Sequence, residues 1–192
     1  MTRTSRLFVV SGPSGAGKGT LCSLARKQRP DIALTVSATT RSPRPGEKDG
    51  VSYHFLSDEE FTRRVEAGEF LEWAEVHGHR YGTLKSEVET RLAAGQSVIL
   101  EIDVQGALNV RKVYPDAVLI FVQAPSLDAL EQRLRARGTE TEEAIELRLA
   151  NARKELELAG QYDVTIINDD RDRACERLLA AFATYETDGG TN

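Results

Sequence analysis

The sequence has little cysteine and no long apolar segment, and each shortage excludes a class of protein. Its two cysteines, Cys22 and Cys175, lie far apart and form no Cys-x-x-Cys pair, which argues against a disulfide framework and against a cysteine metal site. No apolar run approaches the roughly 20 residues that a membrane-spanning helix needs. The apolar run at residues 7–10 leads into a glycine-rich segment, so it predicts a strand and not a signal peptide. We therefore expect a cytoplasmic protein with no membrane contact.

The length and charge of the chain favour a single domain that binds a small anion. With 192 residues, 40% of them hydrophobic and 29% charged, the composition is that of an ordinary globular domain. The net charge of −5 argues against a nucleic-acid partner. Residues 1–48, in contrast, carry nine Lys or Arg side chains and only two acidic ones. A basic segment in an acidic chain suits a small anionic ligand, although chance variation in surface charge would give the same pattern.

Apolar strand patterns alternate with helix patterns along most of the chain. This alternation is typical of a parallel sheet covered by helices on both faces, so the predicted fold class is α/β. The predicted strands cover residues 6–11, 32–36, 97–103, 117–122 and 164–167. The predicted helices cover residues 17–28 and 171–185, with two more that begin after Ser126 and at a capping box of Thr139 and Glu142. Residues 1–36 and 84–186 form the predicted core, and residues 187–192 are expected to be a disordered tail.

Residues 37–83 interrupt this alternation. The segment is polar and rich in turn residues, and the run at residues 42–46 contains two prolines, which excludes regular structure there. A helix pattern at residues 57–67 and a strand pattern at residues 70–77 follow. The sequence therefore predicts a small α+β lobe inserted into the parallel-sheet core.

A glycine-rich loop lies between the first predicted strand and the first predicted helix. In such a loop the main-chain N–H groups surround phosphate oxygens, and the amino terminus of the following helix adds positive potential. Lys18 supplies a full charge for the outer phosphates. The strict P-loop pattern has Ser or Thr directly after the lysine, whereas here Gly19 takes that place and the hydroxyl follows at Thr20. The motif predicts that a nucleoside triphosphate binds at Gly12, Pro13, Ser14, Gly15, Ala16, Gly17, Lys18, Gly19 and Thr20.

Two acidic residues, Glu101 and Asp103, end the predicted strand at residues 97–103. Ligands of open parallel sheets bind at the carboxyl ends of the strands, and a carboxylate there can hold Mg²⁺, usually through water. We expect Mg²⁺ to bind with the triphosphate at Glu101 and at Thr20. The shifted position of Thr20 leaves open whether it touches the ion directly or through water. A solvated strand end is the alternative for the two acids.

Several motifs, in order and in register, resemble the guanylate kinase family. They comprise the phosphate loop, residues 37–47, Tyr53, and residues 70–74, 81–83, 100–103 and 137–141. The resemblance extends from about residue 7 to residue 177. It implies a P-loop core of three layers with a parallel sheet, an inserted GMP-binding lobe and a helical lid at about residues 133–150. It also implies an enzyme that transfers the γ-phosphate of ATP to GMP with Mg²⁺, giving ADP and GDP, in guanine nucleotide biosynthesis and recycling.

The resemblance assigns the inserted lobe to GMP. Arg41 and Arg44, three residues apart and flanked by prolines, would bind the GMP phosphate, for which guanidinium groups are suited. Glu72 would select guanine, because guanine presents its N1–H and 2-amino donors side by side and adenine does not. The expected GMP-binding residues are Ser37, Arg41, Arg44, Tyr53, Glu72, Tyr81, Thr83 and Asp103. Without the resemblance, Glu72 reads as a solvent-facing strand glutamate and the two arginines as a solvated basic loop.

The resemblance also assigns residues to the ATP side and to catalysis. Asn168 and Asp169 would contact the adenine of ATP. Arginines of the lid would fold over the ATP phosphates, whereas Arg135 is off the family pattern and is expected at the surface. The expected catalytic residues are Lys18, Arg41, Arg133, Arg137 and Arg148.

Two rival functions stay open at this point. The chain would be another nucleoside monophosphate kinase if it preferred a different acceptor, or a non-catalytic guanylate-kinase-like module that binds proteins; the intact phosphate loop argues against the module. His54, His77 and His79 have no metal-ligand spacing and are expected in surface or packing roles. Trp73, on the strand face opposite Glu72, is expected in the core. The oligomeric state, monomer or homodimer, is left open.

Overall fold

The computed structural model describes residues 4–76, 78–136 and 141–187. The strands are β1 (Leu7–Ser11), β2 (Ala33–Leu34), β3 (Ala38–Thr39), β4 (His54–Phe55), β5 (Phe70–Val76), β6 (His79–Leu84), β7 (Val98–Glu101), β8 (Val118–Gln123) and β9 (Val164–Ile167). The helices are α1 (Lys18–Gln28), α2 (Asp58–Glu66), α3 (Lys85–Ala93), α4 (Val104–Val113), α5 (Leu127–Ala136), α6 (Glu142–Glu157) and α7 (Arg171–Thr187), with a 3-10 turn at Ala159–Gln161. In this part of the chain, no helix is both long enough and apolar enough to cross a bilayer.

A five-stranded parallel sheet forms the centre of the molecule, in the order β2-β7-β1-β8-β9. Side chains alternate along β1, so that Phe8 and Val10 enter the core on one face while Leu7 and Val9 enter it on the other. Helices α1 and α7 cover the first face, and α3 and α4 cover the second. The core therefore has three layers, and the predicted α/β fold with a doubly covered parallel sheet is confirmed.

A second, four-stranded sheet lies between β2 and α3 in the chain, in the order β4-β3-β6-β5. Strands β5 and β6 pair antiparallel, with a register shift between Phe70 and Glu72. Helix α2 packs on one face, where Phe61 stacks on Phe70 with 4.3 Å between ring centroids. The other face of β5 lies against α4 of the core. This small sheet therefore has an apolar cluster of its own and meets the core along β5 and α4.

The predicted strands agree with the observed ones better at their centres than at their ends. Strand β9 has the predicted bounds, but β2 covers only Ala33–Leu34 and β7 already ends at Glu101. Asp103 stands outside β7 because its carboxylate accepts a hydrogen bond from the Gly106 N–H at 2.8 Å and caps α4. Capping therefore competes with strand extension at this acid.

Two predictions about helix ends need correction. The cap of α6 is Thr141, whose hydroxyl accepts from the Ala144 N–H at 3.3 Å, and the predicted cap Thr139 lies outside the described residues. Thr187, predicted to begin a disordered tail, is the last residue of α7, where its hydroxyl donates to the Ala183 carbonyl at 2.9 Å. The rest of that predicted tail also lies outside the described residues.

A buried carboxylate ties the end of α7 to the amino end of the central sheet. Glu186 is 2% exposed. It accepts from the Ser97 hydroxyl at 2.7 Å and from the Arg29 guanidinium at 2.9 and 3.1 Å. Since Ser97 precedes β7 and Arg29 follows α1, one side chain joins three elements.

We predict that Glu186→Ala lowers the free energy of unfolding by about 2 kcal/mol or more, because the buried Ser97 hydroxyl loses its acceptor and the Arg29 guanidinium keeps only Asp31 of its two carboxylate partners. Urea unfolding followed by circular dichroism measures the change. The control is Glu131→Ala, which removes an exposed pair with Arg135 and should cost less than about 0.5 kcal/mol. Equal losses in the two variants would contradict the anchoring role of Glu186.

Candidate functional site

The glycine-rich loop connects the carboxyl end of β1 to the amino end of α1. Gly17 precedes the helix with a φ of 94°, in the left-handed region that residues with a Cβ rarely adopt. A Cβ at Gly17 would also stand 2.4 Å from the amide nitrogen of Asn168. The loop therefore depends on glycine here, and the amino terminus of α1 that follows favours an anion.

Lys18 folds back onto this loop. Its Nζ donates to the carbonyl oxygens of Gly12 at 2.6 Å and of Pro13 at 3.1 Å. Burial lowers the pKa of Lys18 below its ordinary value, and the nearby Glu101 carboxylate opposes this effect. A buried ammonium whose direct partners are neutral carbonyls gains strongly from a phosphate placed beside it.

A polar cavity of about 310 Å³ opens beside the loop. It is lined by Ser14, Gly15, Gly17, Lys18, Gly19, Thr20 and Glu101. A Cβ at Gly19 would lie 3.3 Å from Glu101 Oε1, so a larger side chain after the lysine would press on this carboxylate. Burial raises the pKa of Glu101, and the Lys18 charge opposes the rise. The loop, an acid and the hydroxyl of Thr20 thus border one cavity, which suits a phosphate chain and its counter-ion.

Two of the predicted lid arginines contact the loop. Arg148 of α6 donates to the Ser14 hydroxyl at 2.6 Å. Arg133 of α5 donates to the main-chain carbonyls of Asn168 at 2.7 Å and of Ala16 at 3.5 Å. Both helices therefore bring a guanidinium to the loop.

Asn168 and Asp169 follow β9 and have different surroundings. Asn168 is buried, and its amide donates to the Ala16 carbonyl at 2.8 Å. The Asp169 carboxylate accepts from Arg177 of α7 at 3.0 Å. Arg137, the third predicted lid arginine, lies outside the described residues.

A second cavity, of about 180 Å³, opens where the small sheet meets the central sheet. Its lining residues are Ser37, Tyr53, Glu72, Ala74, Tyr81, Gly82, Glu101, Ile102 and Asp103. Five residues of the set expected to bind GMP meet here, namely Ser37, Tyr53, Glu72, Tyr81 and Asp103. Two of these residues lie in β5 and β6, two directly precede β3 and β4, and Asp103 caps α4, so the cavity exists only in the folded chain.

Glu72 is a half-buried acid of this second cavity. A Cβ at Gly106 would lie 3.4 Å from Glu72 Oε2 and 3.6 Å from Asp103 Oδ1, so both carboxylates converge on the first turn of α4. Burial raises the pKa of Glu72 above its ordinary value; the nearby Thr83 hydroxyl and main-chain N–H oppose the rise, and the Asp103 charge adds to it. Thr83, the strand partner of Glu72, has a buried hydroxyl with no hydrogen bond of ordinary geometry in the described chain. A ligand with N–H donors would satisfy these groups.

Arg41 and Arg44 lie on the loop between β3 and β4. The Arg41 guanidinium stands over the Tyr53 ring, 5.4 Å from its centroid, and the Tyr53 ring lies 6.0 Å from that of Tyr81. Arg41 is therefore at the rim of the second cavity. Arg44 is exposed, and its side chain forms no hydrogen bond or ion pair with a described residue. Glu47, to which the sequence analysis assigns no role, accepts from Arg41 at 2.8 and 3.0 Å.

Glu101 belongs to both cavities and joins them. It lines the cavity beside the loop and the cavity beside Glu72, as well as a third opening at Ser37, Ser52 and Tyr53. The two cavities therefore lie at the same carboxyl edge of the central sheet, where open parallel sheets bind their ligands. A phosphate chain on the loop and a second ligand at Glu72 would be neighbours.

The prediction that Trp73 is a core residue is wrong, because its side chain is 47% exposed. Trp73 does lie on the face opposite Glu72, edge-on to Phe61 of α2 with 6.2 Å between ring centroids. Helix α2 is only nine residues long, however, and β5 is the edge strand of its sheet. The helix therefore does not cover the outer side of the indole.

The histidines and Arg135 stand apart from the two cavities where they are described. His54 pairs with Glu87 at 3.3 Å and His79 is exposed, whereas His77 lies outside the described residues. Arg135 is exposed and pairs with acids of α5 and α6. Among the residues with described positions, no group of three or more His, Cys, Asp or Glu side chains could hold a metal ion.

Sequence reasoning missed three residues near the site: Glu47, Gly106 and Glu155. Burial raises the pKa of Glu155 on α6, and the charge of Lys18 opposes the rise, so this acid is close enough to interact electrostatically with the loop lysine. Gly106 leaves room for Glu72 in the first turn of α4. The position of this glycine, three residues after Asp103 at the start of a helix, could have indicated that another side chain approaches the helix there. Glu155 is one of several charges on a long helix and has no such signal.

Comparisons with known proteins agree on one family. The family model described as Guanylate kinase matches residues 4–185. A guanylate kinase of Fusobacterium nucleatum is 53% identical over 174 residues, which cover 91% of this chain and 94% of that protein. One of Thermobifida fusca is 52% identical over 182 residues, which cover 95% and 93%.

Solved structures agree with the sequence comparisons. The crystal structure of guanylate kinase from Anaplasma phagocytophilum matches with a TM-score of 0.77 at 31% identity, covering 98% of this chain and 89% of that chain. Shikimate kinase from Bacteroides thetaiotaomicron matches with a TM-score of 0.51 at 17% identity, covering 93% of this chain and 98% of that chain. The second likeness concerns the fold alone.

We predict that Gly17→Ala lowers the free energy of unfolding by about 1–3 kcal/mol. The alanine would have to adopt a left-handed backbone conformation, and its Cβ would displace the buried Asn168 amide. The urea unfolding midpoint measures the loss. Gly160→Ala is the control, because a Cβ there meets no atom within 4 Å, and its effect should stay within about 0.5 kcal/mol. The interpretation is wrong if both variants unfold at the same urea concentration.

Proposed function

Because the chain belongs to the guanylate kinase family, we propose that its two adjoining cavities bind ATP and GMP side by side for transfer of the γ-phosphate. The chain is an ATP:GMP phosphotransferase, with ATP as donor and GMP as acceptor. The observation that carries the proposed arrangement is the position of Glu101, which lines the loop cavity and the Glu72 cavity alike. A phosphate on one side is then within reach of a nucleotide on the other.

On the donor side, the loop amides and Lys18 would bind the ATP phosphates. Lys18 would exchange the carbonyls of Gly12 and Pro13 for phosphate oxygens, which are charged and therefore stronger partners. Arg133 and Arg148 already touch the loop and would add positive charge beside the outer phosphates; Arg137 has the same expected role. The adenine would lie near Asn168 and Asp169.

On the acceptor side, the second cavity offers guanine a half-buried carboxylate. Guanine presents two N–H donors side by side, and Glu72 would accept both, with the buried hydroxyl of Thr83 beside it. Adenine would leave this carboxylate facing a lone pair, which costs several kcal/mol in a buried site. The GMP phosphate would bind Arg41 and Arg44, with Tyr53 and Tyr81 as hydroxyl donors. Ser37 and Asp103 line the same cavity and would complete the contacts to GMP.

The residues at the loop fit a magnesium ion that arrives with ATP. Mg²⁺ keeps several waters in such sites and takes one or two protein oxygens together with phosphate oxygens. Thr20 and Glu101 border the loop cavity. Together they offer the one or two protein oxygens that such an ion takes. Bound there, the ion would neutralise charge on the β- and γ-phosphates.

The transfer forms a bond between a GMP phosphate oxygen and the γ-phosphorus, and it breaks the bond from that phosphorus to the bridging oxygen of ADP. Above about pH 6 the acceptor phosphate is largely dianionic, so no base has to remove a proton. The chain contributes placement and positive charge through Lys18, Arg41 and the lid arginines. We further propose that residues 37–83 and the lid close over the nucleotides and exclude water, and that the enzyme acts in the cytoplasm.

We predict that Lys18→Ala lowers kcat at least about a thousandfold, because the transition state loses a buried charge at the transferred phosphate. ADP release in a coupled assay measures turnover with GMP, AMP, UMP and dTMP as acceptors. The unsubstituted enzyme should prefer GMP. Lys27→Ala, an exposed change on α1, should leave turnover within about twofold.

Each alternative outcome of this panel has a separate meaning. Preference for another monophosphate would contradict the assignment of the acceptor. Absence of ADP release with all four would indicate a module without catalysis. Full activity of Lys18→Ala would contradict the proposed role of the loop.

We predict that guanosine binds less tightly as the pH falls. Only the ionised Glu72 accepts the two guanine donors, and burial raises the pKa of this group in the free protein. The affinity for guanosine is therefore highest above the raised pKa of Glu72, and it decreases below that pKa by up to about tenfold per pH unit. Calorimetric titration over the acidic range in which circular dichroism shows the folded protein measures the profile. Guanosine is used because the GMP phosphate itself ionises near pH 6.

The matched control for this titration is Glu72→Gln. An amide has no charge to lose and presents an N–H₂ group to a donor, so the variant should bind guanosine weakly at every pH. A flat profile in the unsubstituted protein would contradict the role of Glu72.

A further inference from the structure

A carboxylate stands beside the arginine proposed to bind the acceptor phosphate. Both oxygens of Glu47 lie at hydrogen-bond distance from Arg41 Nη2, at 2.8 and 3.0 Å. One of them also accepts from the Arg44 main-chain N–H at 2.7 Å, and the Glu47 N–H donates to the Arg44 carbonyl at 3.0 Å. One glutamate therefore connects the side chain of the first arginine to the main chain of the second.

The Arg41 guanidinium is held from several sides. It lies 5.4 Å from the centroid of the Tyr53 ring and 5.9 Å from that of Phe55, and its Nη1 donates to the Ser42 carbonyl at 2.7 Å. Together with Glu47, these contacts leave the side chain of Arg41 only 11% exposed. A guanidinium has five N–H donors, and the named acceptors together with the nearby Tyr81 hydroxyl take at most four. At least one donor therefore remains for a phosphate, in a plane that the neighbours determine.

The negative charge of Glu47, taken alone, would weaken phosphate binding at Arg41. A negative charge next to Arg41 repels the acceptor phosphate and reduces the positive potential of the loop. The carboxylate remains charged, because hydrogen bonds from Arg41 hold the pKa of Glu47 below its ordinary value. A favourable contribution of Glu47 to binding therefore has to come from geometry.

We propose that Glu47 is a positioning residue for the acceptor phosphate, which fixes the Arg41 guanidinium and the Arg44 main chain in their binding arrangement before GMP arrives. This role rests on the proposed function of the second cavity. Order that exists before binding reduces the conformational entropy lost on binding. The phosphate then meets a guanidinium whose orientation is already set.

The alternative is that Glu47 occupies the place of the phosphate and is displaced by it. Two observations favour positioning. Glu47 also binds the Arg44 main chain in both directions, which a stand-in for phosphate does not require. The contacts of Arg41 also leave at least one donor unused, so the phosphate can bind without removing the carboxylate.

Glu47→Gln tests the proposal, because it keeps the size of the side chain and removes its charge. We expect the KM for GMP to rise about tenfold, as for loss of a charge-assisted contact. The kcat should stay within about twofold and the KM for ATP should not change. Glu47→Asp, which keeps the charge but is shorter, should give an intermediate KM. Calorimetry should show weaker binding of GMP but unchanged binding of guanosine, which lacks the phosphate.

The control is Glu60→Gln. It removes a carboxylate that binds Arg63 and Arg64 on α2, beside the same small sheet, and it should leave all these constants unchanged. A lower or unchanged KM for GMP in Glu47→Gln would overturn the proposal, the lower value because it indicates a displaced stand-in. Equal weakening of guanosine and GMP would also overturn it, since that result indicates general damage to the lobe.

The two proposals fail in different ways. If the unsubstituted enzyme does not phosphorylate GMP, the proposed function is wrong. If it does, and Glu47→Gln has the same KM for GMP, only the positioning role of Glu47 is wrong.

Discussion

The parallel register of β1 with β7 and β8 determines where the residues of the candidate site lie. Val10 pairs with Glu101 on β7, and Ser11 pairs with Phe121 on β8. Because the strands run in one direction, the phosphate loop and the acid that ends β7 emerge at the same edge. Strand β9 continues this order next to β8, so Asn168 also reaches the loop. The main chain of the sheet thus brings together groups that are far apart in sequence.

The loop is in turn held by Asn168 and by the two helices that lie between β8 and β9 in the chain. The Ala16 carbonyl accepts from the Asn168 amide, and Arg133 bridges Ala16 and Asn168. Arg148 binds the Ser14 hydroxyl. The conformation of the loop is therefore coupled to the positions of α5 and α6. A phosphate that competes for these arginines would act on the helices as well, and this coupling supports the proposed closure of the lid.

The two cavities contain polar groups that the free protein satisfies incompletely. Burial raises the pKa values of Glu72, Glu101 and Glu155, and it lowers that of Lys18. The hydroxyl of Thr83 is buried without an ordinary hydrogen bond in the described chain. Such groups reduce the stability of the free protein, and ligands that satisfy them are bound more strongly. The same arrangement makes the choice of ligand strict, because a ligand with the wrong donors leaves a buried charge unpaired.

Some features could be predicted from neighbouring residues alone. The phosphate loop, the alternation that indicates a parallel sheet and the serine cap of α5 at Ser126 are local patterns. The alternation of β5 also predicted which face Trp73 occupies, but it carried no information on how far α2 extends over that face. The position of Asp103 was mispredicted for a similar reason, because the local sequence was compatible both with a strand end and with a helix cap. The pairing of Arg41 with Glu47 could not be predicted from sequence, because Glu47 lies in a turn that has no periodic pattern.

Local sequence patterns were sufficient to indicate the class of fold, the loop that suits a phosphate chain and, through several motifs in register, the family. These depend on short-range backbone preferences and on the spacing of apolar residues. The folded structure was needed to show that Glu101 borders both cavities, that Glu72 lies against α4 and that Arg41 is held by Glu47. Contacts of this kind depend on how separate elements pack, and no local pattern specifies the distance between two side chains on different strands.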